Sequence, residues 1–182
     1  MSKEPQILGR RIVAQSRLFE IEEVHLRFEN GQERHFERIK ARSQGAVMVV
    51  PMLDQDTILL VREYGAGVDG YTLGFPKGGV ESGEDLLETA NRELREETGF
   101  AARQLREIKQ MSISPGYQSA VMRLVLATDL YESPLEGDEP EPIEVVPWKL
   151  DDAEELLLHP EFFEARSVAA FLLVCRDRNR VC

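Results

Sequence analysis

The sequence predicts an α+β fold, a mixed α/β/α sandwich, and three observations carry that expectation. Strand-period alternation opens the chain, one helix with a divided surface lies near its middle, and strands and helices interleave without a strict βαβ rhythm. With 182 residues, 42% of them apolar, the chain has the size of one domain with a small appendage.

The elements follow in order. Val24, Leu26 and Phe28 alternate with His25, Arg27 and Glu29, and Asn30-Gly31 suits the positive φ angles of a type I′ turn. Residues 18–40 are therefore expected to form a β-hairpin. Residues 46–53 and 57–63 predict a second pair of strands, joined by the turn Asp54-Gln55-Asp56. The glycine-rich stretch 65–83 reads as loop, and 84–98 as helix. Strands recur at 105–113 and 121–129. A loop rich in Pro, Glu and Asp covers 131–142, and 143–148 is extended. Two helices at about 151–158 and 164–178, separated by His159-Pro160, close the chain.

Composition removes several classes of function. Asp and Glu number 33 against 22 Lys and Arg, a net charge of −11 that repels phosphate backbones and anionic lipids. Neither a nucleic acid nor a membrane is an expected partner, whereas a small phosphorylated substrate remains open if cations bridge the charges. No apolar run approaches the ~20 residues of a membrane-spanning helix, and no secretory segment opens the chain. Cys175 and Cys182 read as free thiols, so the expected location is a reducing cytoplasm.

On a helical wheel, Leu87, Ala90 and Leu94 form a core-facing stripe in 84–98, and Glu93, Glu96 and Glu97 fall on the adjoining arc. Ser82 with Asp85 resembles a capping box, and Gly99 suits a left-handed C-terminal cap. Three carboxylates crowded at the end of a helix oppose both one another and the helix dipole. A solvated face, with Arg92 pairing to Glu96, is one account. A hard divalent cation with oxygen ligands is the other, and the lack of a nearby His or Cys argues against zinc.

The residues before the helix separate these accounts. Gly78, Glu84, Arg92-Glu93-Leu94, Glu96-Glu97 and Gly99-Phe100 occupy every fixed position of the pattern Gly-x5-Glu-x7-Arg-Glu-apolar-x-Glu-Glu-x-Gly-apolar. That pattern is the Nudix box, and the chain resembles a Nudix hydrolase. The resemblance implies a Nudix fold with an added N-terminal β-hairpin segment. It also implies a loop–helix–loop that binds magnesium, with manganese able to substitute, and hydrolyses a nucleoside diphosphate linked to another group. Glu93 and Glu97 are the implied metal ligands, Glu96 a third ligand or a base acting on water at the metal, and the carbonyl of Lys77 a further ligand. Arg92 would orient the glutamates and Glu84 would support the loop.

Flanking segments narrow the class. Ser114-Pro115-Gly116-Tyr117 resembles a segment of ADP-ribose pyrophosphatases, as does the acidic run from Asp138 to Val145. Glu139 and Glu141 are then candidates for the general base or an extra ligand, with a solvated surface loop as the alternative. Gly65, Thr72 and Ala120 depart from that subgroup, and Gly74-Phe75-Pro76-Lys77-Gly78 is similar to dinucleoside polyphosphate hydrolases. The combination resembles most the ADP-compounds hydrolases, acting on ADP-ribose, NADH and diadenosine polyphosphates and releasing AMP. Arg38, Arg62, Ser114 and Tyr117 are the implied substrate-binding residues, although Arg38 could equally pair with a surface Glu.

The same resemblance divides the chain into residues 1–42, a β segment for dimerisation and substrate contact, and 43–182, the hydrolase domain. The expected partners are a small ADP-containing substrate and a second copy of the chain. Two alternatives stay open: a nucleotide-binding regulator on the same scaffold without turnover, and an isopentenyl diphosphate isomerase-like enzyme. The second would want a cysteine in the pocket.

Overall fold

Three strands open the chain, β1 (Gln6–Gln15), β2 (Glu20–Arg27) and β3 (Glu33–Ile39), and pair antiparallel in that order. The structure, a computed structural model, describes residues 3–41, 45–137 and 139–177. The expected hairpin is β2–β3, with Val24 opposite Phe36 and Glu22 opposite Arg38. Its turn is not type I′. Gly31 has φ 78° but Asn30 has no positive φ, and the Gly31 N–H donates to the Phe28 carbonyl at 2.9 Å. This is a type I turn closed by one left-handed glycine, which needs a single positive φ rather than two. Strand β1 adds a third member that the alternation did not predict. Register shifts between Ile7 and Gly9 and between Ile12 and Ala14 break its period, so apolar residues fall side by side, as in Ile12-Val13.

The strands β4 (Ala46–Pro51) and β5 (Thr57–Gly65) form where expected but do not pair as a hairpin. Both edges of β4 are occupied by other strands, antiparallel β7 (Lys77–Gly79) and parallel β9 (Val121–Glu132), and β8 (Phe100–Ser112) completes this sheet beyond β9. Strand β5 instead lies between β6 (Gly70–Gly74) and β10 (Glu144–Lys149) in a separate antiparallel sheet. At the corner the two are joined by the Met52–Ile58 bridge and by the Leu53 N–H to Thr57 carbonyl bond, 2.9 Å. Asp54 shapes that corner by accepting from the Asp56 N–H at 2.7 Å and the Thr57 hydroxyl at 2.8 Å. The glycine-rich stretch expected as loop thus contains two short strands, β6 and β7.

Helix α1 (Leu86–Thr98) is capped by Asp85, whose side chain accepts from the N–H groups of Leu87 and Glu88 at 2.8 and 3.2 Å. Asp85 is itself the cap, in place of the expected Ser82 box. At the other end Gly99, with φ 79°, donates its N–H to the Arg95 carbonyl. After a 3-10 turn at Leu150–Asp152 come α2 (Ala153–Leu158) and α3 (Ala165–Asp177), broken at His159-Pro160 as expected.

The α+β class follows from the packing of β4, which is apolar on both faces. Val47 and Val49 meet Ala90 and Leu94 of α1 on one side. Met48 and Val50 meet Ile58 and Leu60 of β5 and Phe171 and Val174 of α3 on the other. Each such fully buried aliphatic side chain contributes about 1.5–3 kcal/mol. The result is a rigid sheet with α1 clamped along one face, which fixes the helix register that the site requires. Among the described residues no helix is long and apolar enough to cross a membrane. Cys175 is buried in α3 and disulfide-bonded, so the expected free thiol there is corrected. Cys182 lies outside the described residues.

Candidate active site

The core stripe of α1 rests on β4, so the adjoining arc of glutamates turns toward β7 and the loop that follows β9. Glu93 and Glu97 are buried, at 9% and 7% exposure, although both are carboxylates. Glu97 Oε1 accepts the Lys77 backbone N–H at 3.1 Å. Its Oε2 is buried without a hydrogen-bond partner. Burial pushes the Glu97 carboxyl up to about 8, against the opposing pull of the Lys77 N–H and of the Lys77 charge. The Lys77 ammonium turns away to pair with Glu63.

Arg92 gathers the remaining carboxylates. One guanidinium nitrogen lies 2.8 Å from Glu93 and 2.9 Å from Glu96, and a second lies 3.6 Å from Glu84. Glu84 also accepts from the Glu81 N–H at 3.1 Å and the Thr89 hydroxyl at 2.9 Å, and those bonds hold its carboxyl below the usual range. Glu84 thereby ties the loop before α1 to the helix. Gly78 has a steric role. A Cβ at this position would overlap the Glu93 carboxylate, so glycine lets the β7 backbone and the helix close on one another.

The loop after β9 forms the facing wall. Its first half is fixed to the end of α1: the Arg95 side chain donates to the Ser133 carbonyl at 2.9 Å, the Ser133 N–H donates to the Gly99 carbonyl at 2.9 Å, and a Cβ at Gly137 would sit 3.5 Å from the Glu96 Cβ. Between wall and helix lies a cavity of about 1050 Å³ that Lys77, Glu93, Glu96, Glu97, Glu139 and Glu141 help to line. The structure therefore brings Arg92, the three helix glutamates, Lys77, Glu139 and Glu141 to one place. Among the described residues, no cysteine lines this cavity, as the isomerase-like alternative would want.

Arg38, Ser114 and Tyr117 lie elsewhere, close to one another. The Ile39 N–H donates to the Tyr117 carbonyl at 2.8 Å, and the Ser114 carbonyl accepts from Tyr117 and Gln118. Arg38 donates to Glu22 at 2.9 and 2.7 Å, the pairing that the sequence left open. Arg62 lines a second cavity of about 300 Å³ with Tyr64 and Tyr71, and its guanidinium is held by Glu161 through two 2.8 Å bonds. Sequence reasoning missed Glu63, Tyr71 and Glu161, whose partners are distant in the chain, and the Gly78–Glu93 contact behind the first fixed glycine.

Among the described residues, no three Asp, Glu, His or Cys side chains already stand at mutual ligand distance. The donor set nonetheless fits a hard divalent cation. All of its groups are oxygens, and one buried carboxylate oxygen faces the site with no partner of its own.

This helix–loop arrangement is that of the Nudix hydrolases, and the chain belongs to that family: the model of the NUDIX domain matches residues 42–172. The model of the NudE-type Nudix hydrolase N-terminal domain matches residues 5–38. The chain is 48% identical to ADP compounds hydrolase NudE of Escherichia coli K12, over 94% of this chain and 92% of that one. It is 34% identical to an ADP-ribose pyrophosphatase of Bacillus subtilis, over 82% and 80% of the two chains. A crystal structure of an ADP compounds hydrolase superposes with a TM-score of 0.88 at 46% identity, covering 100% of this chain and 99% of that one.

Proposed function

We propose that the chain is a magnesium-dependent Nudix pyrophosphohydrolase that opens the P–O–P bond of ADP-linked metabolites (ADP-ribose, NADH and diadenosine polyphosphates) and releases AMP. The observation that carries this reading is Glu97. A buried carboxylate with one unpartnered oxygen, next to Glu93 and Glu96, faces a cavity large enough for a dinucleotide. Glu93, Glu96, Glu97 and the Lys77 carbonyl would hold the magnesium, with manganese as a substitute. The bound ion would neutralise pyrophosphate charge, make water a stronger nucleophile and stabilise the departing phosphate.

The chain's own groups divide the remaining work. Arg92 orients Glu93 and Glu96. Glu139 and Glu141 reach the cavity from the facing wall and are the candidates to take a proton from the attacking water, with Glu96 as the third possible base. Arg38, Ser114 and Tyr117 do not line the cavity of their own chain, so in this reading they meet substrate through a second copy. A homodimer accommodates the first sheet, where Ile7, Ile12, Val13 and Phe36 are exposed, and the β1–β2 connection, where Leu18 and Phe19 are exposed as well. Residues 1–42 are then the dimer and substrate segment and 43–182 the hydrolase domain, with the boundary itself outside the described residues. The cytoplasmic location rests on this substrate class, since the bonded state of Cys175 removes the thiol argument.

The test is a panel of nucleoside diphosphate derivatives incubated with magnesium and resolved by ion-exchange chromatography. AMP should appear from ADP-ribose, NADH and diadenosine polyphosphates. No AMP from any of the three would overturn the reading.

A further inference from the structure

The loop that carries Glu139 and Glu141 is fixed at both ends by different means. Its first half is bound to α1 through Arg95, Ser133 and Gly99. Its second half is held by the Tyr71 hydroxyl, which donates to Glu141 Oε1 at 2.9 Å. Tyr71 sits on β6, outside the box and outside every motif read from the sequence.

The Tyr71 ring is braced from two sides. Tyr64, its cross-strand partner on β5, packs edge-on with ring centroids 5.7 Å apart. The Arg62 guanidinium lies over the ring, 4.3 Å from its centroid. Arg62 cannot swing freely, because Glu161 in the turn before α3 grips it with two 2.8 Å bonds. A continuous chain of contacts therefore runs from Glu161 through Arg62 and Tyr71 to Glu141. Glu141 lines both the large cavity and the 300 Å³ cavity beside it, so the Tyr71 bond sets where this carboxylate stands between them.

We propose that Tyr71 is the positioning residue for Glu141 in hydrolysis, with Arg62 and Glu161 as its brace, and that Arg62 serves this support rather than gripping phosphate. The proposal rests on the pyrophosphohydrolase reading and on Glu141 contributing to turnover. A carboxylate at a loop tip samples many rotamers, and one hydroxyl anchored in a sheet limits that spread before substrate arrives. The bond adds nothing to the binding of the adenylyl group, so its loss acts on turnover rather than on affinity.

The experiment is a double-mutant cycle with Tyr71→Phe and Glu141→Gln, in the full chain, with ADP-ribose and saturating magnesium. Tyr71→Phe keeps the ring and its brace and removes only the hydroxyl, and its thermal midpoint reports that the fold is intact. Expected is a fall in kcat of about tenfold with KM within about twofold. Adding Tyr71→Phe to Glu141→Gln should then cost nothing more. Arg62→Gln should give the same kcat loss without a rise in KM. The proposal is overturned if Tyr71→Phe keeps full kcat, if Glu141→Gln does, or if Tyr71→Phe lowers kcat equally in both backgrounds. A rise in KM alone for Arg62→Gln would return Arg62 to substrate binding and sink the brace. Wild-type protein with no turnover in the same assay would instead overturn the hydrolase reading beneath.

Discussion

Lys77 hydrogen-bonds Glu97 through its backbone and Glu63 through its ammonium: the amide N–H donates to Glu97 Oε1 at 3.1 Å while the side chain pairs with Glu63. A buried carboxylate is thus aligned by a neutral dipole, and its second oxygen stays free for an incoming cation. A lysine ammonium in the same position would fill that place and compete with metal.

This arrangement makes the stability of the metal-free protein depend on pH. The Glu97 carboxyl stands at about 8 when folded, against an ordinary 4.5. Between those values the folded protein holds a proton that the unfolded chain has released, so the stabilisation is complete below about 4.5, declines as pH rises and is lost through about 8. In chelator, the thermal midpoint should fall across that window. Glu97→Gln mimics the protonated acid, so it should flatten the decline and leave stability at neutral pH unchanged or higher. The same variant should lower turnover with magnesium by about two orders of magnitude. Near-normal turnover at saturating magnesium would remove Glu97 from the ligand set.

The oxygen donor set predicts the metal response. Hydrolysis should require magnesium or manganese, stop on adding chelator and recover poorly with zinc, which prefers nitrogen and sulfur ligands in a tetrahedral site. Full activity in excess chelator would refute a metal-dependent mechanism.

Gly78→Ala tests the approach of β7 to the helix. The added methyl must displace the Glu93 carboxylate, since the two occupy the same space. A shift of about an ångström in such a group costs about a hundredfold in rate, whereas the strand itself can accept alanine. The expected outcome is a near-normal thermal midpoint with turnover about a hundredfold lower. Equal losses in stability and activity would show that the glycine serves the fold instead.

The parts of this architecture that were legible in sequence are those set by neighbours in the chain. Glu93, Glu96 and Glu97 share one helix arc because of their spacing, and Gly99 caps because it follows the last turn. Parts set by distant pairing were not legible. β4 is apolar on both faces, so alternation could not say that its partners are β7 and β9 rather than β5. The bulges of β1 erased its period, and Asn30-Gly31 allowed two turn types that differ by one φ angle. Tyr71 and Glu161 act through Arg62 and Glu141, and no local pattern joins residues that far apart.

The last prediction concerns assembly. In β1 only Leu8 is even partly buried, and the strand leaves Ile7, Ile12 and Val13 exposed, in contrast to Glu22 and Val24 of β2, which are buried. A three-stranded sheet with apolar side chains in water lacks the burial that stabilises such a unit, and a symmetric partner supplies it. The corner where Ile39 meets Tyr117 also places Arg38 beside the Ser114–Tyr117 segment, away from the cavity of its own chain. A two-fold arrangement that brings this corner to the neighbouring cavity would serve both needs at once. Full-length protein should therefore sediment as a dimer at micromolar concentration. Removal of residues 1–40 should yield monomers that bind substrate more weakly, while α1 and its glutamates remain folded. Sedimentation of the intact chain as a monomer would leave the exposed face of β1 without this explanation and would sink the shared-site proposal.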